Sequence, residues 1–253
     1  MSYTSLSFKY FNPNQVYSQF DIVGGINSTD NTFYYSTTPN NLANNPSAIF
    51  NYTITGFSRY QDIATIYYTY TGGPNFTVGS LVSLNVGFDA SANYSGMILN
   101  GGVNGTNGTL TYLNAGWDQS PTGSAGSIST TVNPAWTTGF MFIPSYSTSY
   151  ENQQNVILAQ FEPGYEQRQA SSINPNIDMW NLVFADRSSK EARAIRHFTQ
   201  NLAGVYSFPI MITDPAFDNQ PNQKFVTSAG AKLQAKSFNI NDVSIQVRRV
   251  FDL

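Results

Sequence analysis

The sequence predicts a mainly β protein with one flanking α-helix, and three observations predict it. The 253 residues include 16 Tyr, 18 Phe and 19 Gly among abundant Thr, Ser and Asn, a composition that fits half-buried strands joined by turns. Short runs of β-branched and aromatic residues recur between Gly- and Asn-rich turn signals. Only residues 188–204 carry a convincing helical apolar period. With 41% hydrophobic residues the chain can bury a core for one large β domain or two smaller ones.

The elements follow in order. In residues 1–57, FKYFNPNQVYSQFDIV alternates like a strand and STTPNNLANNPSAIFNYT reads mostly as loop; this region is expected to complete the N-terminal β region. IATIYYTYTG (63–72) is a strand stopped by GGPN, and FTVGSLVSLNVGF (76–88), NYSGMILNGGV (93–103) and TLTYLNAGW (109–117) supply three more. QSPTGSAGSISTTVNP (119–134) reads as a loop or linker of small residues. These strands predict a small antiparallel barrel or sandwich over 58–134, distinct from a second domain over 135–253.

In that second domain NVILAQF (155–161), MWNLVFA (179–185), VYSFPIMI (205–212), QKFVTSA (223–229) and the terminal pair AKLQAKSFNI and DVSIQVRRVF read as strands. The helix is signalled by capping-box spacing of Ser188 and Glu191, an apolar stripe of Ala192, Ile195, Phe198 and Leu202, and Gly204 at the C′ position. Arg187, Lys190, Arg193 and Arg196 lie mostly off the stripe and are expected on a solvated or partner-facing surface. Charge separates the two parts as well. Residues 1–160 hold two basic and six acidic residues, and the other 93 hold ten and nine.

Several function classes are disfavoured. A net charge of −3 without a basic run argues against nucleic-acid binding. The absence of cysteine removes disulfides, thiolate metal sites and thiol nucleophiles. MSYTSLSFKYFNPNQ has no basic start leading into an apolar block, and no run of about 18 apolar residues follows, so neither a signal peptide nor a membrane span is expected. Assembly is therefore expected in a cytoplasm. Without a secretion signal, the six sequons at Asn27, Asn51, Asn75, Asn93, Asn104 and Asn107 reflect composition. No G-x-S-x-G, H-E-x-x-H, P-loop or Asp-rich calcium loop occurs, and the single His197 falls on the helix. No enzyme, cofactor or metal is expected.

The densest side-chain chemistry is FEPGYEQRQ, residues 161–169. Pro163 pre-sets φ and Gly164 accepts positive φ, so the chain can reverse there and present Tyr165, Glu166, Gln167 and Arg168 at a fixed angle. Glu162 and Glu166 share one local turn, whereas a glycosidase needs carboxylates on opposite sides of a sugar. Arg168 can instead grip a carboxylate of Glu162, Glu166 or a neighbouring subunit. A second possibility is adhesion, with Trp117 or Trp136 stacking on a sugar face.

The order of pieces over about 137–253 resembles the minor tail protein M family of lambda-like phages. The resemblance runs through Phe161, Gly164, Tyr165, Gln167 and Arg168, then Ile173 and Asn174, Trp180, Gly204 with Val205 and Phe208, and Lys224–Phe225–Val226. This chain has Glu162–Pro163 where the family usually has Gly–Asp, Ser171–Ser172 where a Gly is common, and Pro209 after the helix. The pieces FTVGSLVSL, NYSGMI, TYLNAG and SPTGSAGSI resemble a small β-barrel module of phage virion proteins. Together these imply a tail-tube-like barrel or sandwich with an outward accessory domain. They further imply a distal ring, expected as a hexamer, with the tail tube protein on one side and a hub or tip protein on the other. Phe161, Gly164–Arg168 and Trp180 are the expected interface or corner residues.

Overall fold

A computed structural model describes residues 9–27, 29–30, 32–73, 75–123, 125–130, 132–162, 164–171, 176–210 and 223–251. Pro163, Ile173 and Asn174, and the side chain of Glu162, lie outside the described residues. The chain divides into two units, Met1–Phe142 with Pro209–Asn222, and Ile143–Phe208 with Gln223–Leu253. The architecture is mainly β with one α-helix, as the composition predicts.

The first unit opens with four short strands, β1 (Val16–Tyr17), β2 (Ile22–Val23), β3 (Tyr34–Ser36) and β4 (Asn41–Leu42). Its main body is β5 (Asn51–Tyr60), β6 (Ile63–Thr69), β7 (Leu81–Val86), β8 (Tyr94–Met97), β9 (Asn100–Asn104), β10 (Asn107–Leu113), β11 (Gln119–Thr122) and β12 (Gly126–Thr130). They form one sheet in the order β8-β7-β12-β5-β6-β10-β9, with β11 also on β5. β13 (Trp136–Thr137) joins β2 and β3 in a separate three-stranded sheet.

Alternation builds the main core: Tyr52, Ile54, Ala64, Ile66, Tyr68, Leu84, Val86, Leu110, Tyr112 and Ile128 all point inward and are buried. Each large side chain buried this way contributes about 1.5–3 kcal/mol. The β5–β6 hairpin turns through Gln61 (φ 49°) and Asp62 (φ 61°), an unusual pair for a two-residue turn. Neighbouring groups compensate. Gln61 N–H donates to Asp118 at 2.8 Å, and Asp62 accepts from Gly116 N–H at 3.2 Å.

The structure departs from the strand expectations in three places. Residues 119–134, expected as a loop, contain β11 and β12, because small residues such as Ser127 and Ser129 alternate with the buried Ile128 and Thr130. NYSGMILNGGV divides into two strands, β8 and β9. Within VYSFPIMI, of which 211–212 are not described, only Phe208–Pro209 is extended and paired.

The second unit holds β14 (Ser149–Gln154), β15 (Val156–Glu162), β16 (Tyr165–Ala170), β17 (Asn176–Arg187), α1 (Ser189–Leu202), Phe208 of β18 (Phe208–Pro209), β19 (Lys224–Thr227), β20 (Lys232–Ser237) and β21 (Ile240–Val250). The sheet order is β14-β17-β21-β19-β18, with β20 beside one half of β21. Helix α1 packs on β21, burying Ala192, Ala194, Ile195 and Phe198. Its ends match their sequence signals. Ser188 Oγ accepts from Glu191 N–H at 3.2 Å, and the chain leaves through left-handed Ala203 and Gly204 (φ 71°).

Candidate functional site

β14 runs through Asn155 directly into β15, so β15 and β16 continue a ribbon past the point where β14 pairs with β17 at Gln154 and Asn176. The hairpin closes at its base through Ser171, whose N–H and hydroxyl both reach the Asn155 carbonyl at 3.2 and 2.8 Å. At its tip Gly164 takes φ 95°, the conformation that a Pro-Gly turn requires, and a side chain added there would meet no neighbour. Phe161 sits at an irregularity in the register between Gln160 and Glu162.

Pairing of Leu158 with Arg168 and Gln160 with Glu166 puts Val156, Leu158, Glu166 and Arg168 on one face; Ile157, Ala159, Gln167 and Gln169 share the other. Both faces are open. Val156, Ile157 and Leu158 are each about half exposed, and Phe161 and Tyr165 are exposed to 70% and 72%. Among the described residues neither strand pairs with anything but the other. Both Nε and Nη2 of Arg168 converge on Oε1 of Glu166, the former at 2.6 Å. With side chains exposed to 71% and 35%, this pair adds little to folding. What it does is hold the guanidinium in one orientation at the surface.

The base of the ribbon is tied across three strands. Asp178 on β17 accepts from Tyr150 hydroxyl (2.8 Å) and Asn152 amide (3.0 Å) on β14, and from Arg249 (3.3 Å) on β21. Burial alone would raise the Asp178 pKa, but these donors outweigh it and hold the carboxyl below its ordinary range. The Tyr150 phenol is raised in turn, chiefly by its hydrogen bond to Asp178. The Tyr150 ring packs 4.8 Å from that of Trp180. The structure thus places Trp180 in the sheet, 6% exposed, and the other predicted corner residues on the projecting hairpin.

The remaining candidates scatter. Trp117 is 93% exposed, and its carbonyl receives Arg59 at 3.4 Å. Trp136 is fully buried against Tyr17 and Phe11 with its indole N–H on the Asn44 carbonyl at 2.6 Å, so it offers no ring face to a sugar. The stacking expectation for Trp136 is corrected accordingly. His197 is half-buried on α1, its imidazole held below the usual value first by burial and then by Arg193 and Arg196. Glu166 is engaged by Arg168.

Val156, Ile157 and Leu158 are not among the corner residues the sequence singles out, although their run carries a signal of its own. A continuous apolar run in a strand marks burial on both faces, and this strand has neither face buried within the chain. In comparisons with known proteins, no curated sequence matches the chain. Residues 138–251, just under half of its length, match the family model for phage minor tail protein. Over that region, which contains the hairpin, the helix and the sheet beneath them, the chain is similar to phage minor tail proteins, which supports a structural protein of a bacteriophage tail.

Proposed function

We propose that the protein is a distal tail subunit that assembles into a ring joining the tail tube to the tail tip. The observation that carries this reading is the β15–β16 hairpin, whose Val156–Leu158 run puts exposed apolar side chains on both faces. A two-stranded ribbon is marginal in water by itself, and a strand run such as Val156–Leu158 gains most when a neighbour covers it and continues its hydrogen-bond ladder. A heterologous contact repeated around an axis closes a ring. The sixfold number, and neighbours consisting of the tube protein on one side and a hub or tip protein on the other, follow from the resemblance to the minor tail protein M family. In this reading residues 58–134 are an outward accessory module, and the ring forms in the host cytoplasm before joining the virion.

Arg168 then meets a carboxylate of the adjacent subunit or orients the hairpin toward it. Full-length protein is expected to form discrete rings by mass photometry and negative-stain microscopy. Leu158→Asp is expected to leave monomers with an unchanged melting temperature. A wild-type protein that remains monomeric at every concentration would sink the ring. A second reading, receptor or glycan adhesion at the tail tip, draws on the nearly complete exposure of Trp117.

A further inference from the structure

We propose that the outer face of β5–β6–β10–β9 binds a neutral oligosaccharide, with Tyr67 as its stacking platform. The register lines up Thr69, Asn107 and Asn104 in one row across the sheet and Tyr67, Thr109 and Gly102 in the next. Thr65 and Thr111 continue the pattern. Every one of these side chains is uncharged, and hydroxyls and amides both donate and accept hydrogen bonds, as sugar hydroxyls require. A groove of about 500 Å³ runs over this face, a volume in the range of small-ligand sites, and no charged group is among the described residues that line it.

The platform and floor of the groove are built. The Tyr67 ring rests against Gly56, where an added Cβ would come within 3.3 Å of it, and is 36% exposed. This gives a flat aromatic surface with a hydroxyl at its edge. Gly102 leaves open space where a side chain would stand.

Other occupants fit less well. A protein partner wants an apolar centre, and among the described residues that line the groove Tyr67 is the exposed aromatic, set among threonines and asparagines. Nucleic acid wants cations, and none is among the described residues that line the groove. The inference deepens the adhesion reading, moves its centre from Trp117 to Tyr67, and does not depend on ring assembly. A protein that forms rings but binds no sugar overturns only this inference.

The test uses the full chain on an array of α- and β-linked neutral hexose and N-acetylhexosamine oligomers, with uronic-acid oligomers as charged controls. At least one neutral series is expected to bind. Tyr67→Ala and Gly102→Phe are each expected to weaken binding by about tenfold or more with unchanged melting, and Trp117→Ala to leave it intact. Gly102→Phe fills the groove from a position where the fold has room, so it reports even if Tyr67→Ala misfolds. No binding to any neutral member, binding to uronates alone, or loss that follows Trp117→Ala would each overturn the proposal.

Discussion

At the scale of single residues, environment assigns roles that residue type leaves open. Trp117 and Trp136 are the same amino acid in the same unit, yet one is in water and the other holds an aromatic cluster together. Trp136→Ala is therefore expected to cost about 3–5 kcal/mol in denaturant unfolding of the first unit, whereas Trp117→Ala should cost almost nothing. Asp178 carries the clearest pH dependence. Its folded pKa lies below the ordinary 3.8, so its contribution is complete above that value and is lost as pH falls through the lower folded value. Asp178→Asn should flatten the acid limb of urea midpoints measured between about pH 2 and 5 and leave its slope near neutrality unchanged.

At the scale of elements, legibility followed the strength of local rules. The helix was readable because Ser188, Glu191, the apolar stripe and Gly204 all point to the same ends; Ser188→Ala should cost about 1 kcal/mol of stability in the second unit by thermal unfolding. β5 is harder to read because the register slips between Ile54 and Gly56, which breaks the alternation: Gly56, covered by the outward Tyr67 ring, and the inward Phe57 are buried in succession. β14, SYENQQ, has an exposed residue at every position and so carries no hydrophobic signal at all; its place comes from pairing with β17. The corner FEPGYEQRQ was visible as a turn with unusual chemistry. That it tips an uncovered hairpin depends on which other strands do not pair with it, a non-local fact absent from local sequence. At this scale Arg168→Ala should reduce assembly while shifting melting by less than about 1 °C, because the Glu166–Arg168 pair is too exposed to stabilise the fold.

At the scale of the whole molecule, the chain divides its work by composition. The first unit, poor in charge, presents hydroxyl- and amide-rich strand faces, and the second concentrates ionic pairs and a ribbon bearing the exposed Val156–Leu158 run. The central claim is that this ribbon is completed by another copy of the chain. Mass photometry of the wild type beside Leu158→Asp and Arg168→Ala, at matched concentration and with melting curves in parallel, tests it most directly. The account predicts one closed oligomeric species for the wild type, expected at six subunits, and a shift to monomer in both variants without loss of melting temperature. A wild type that stays monomeric, or variants that assemble as the wild type does, would contradict it.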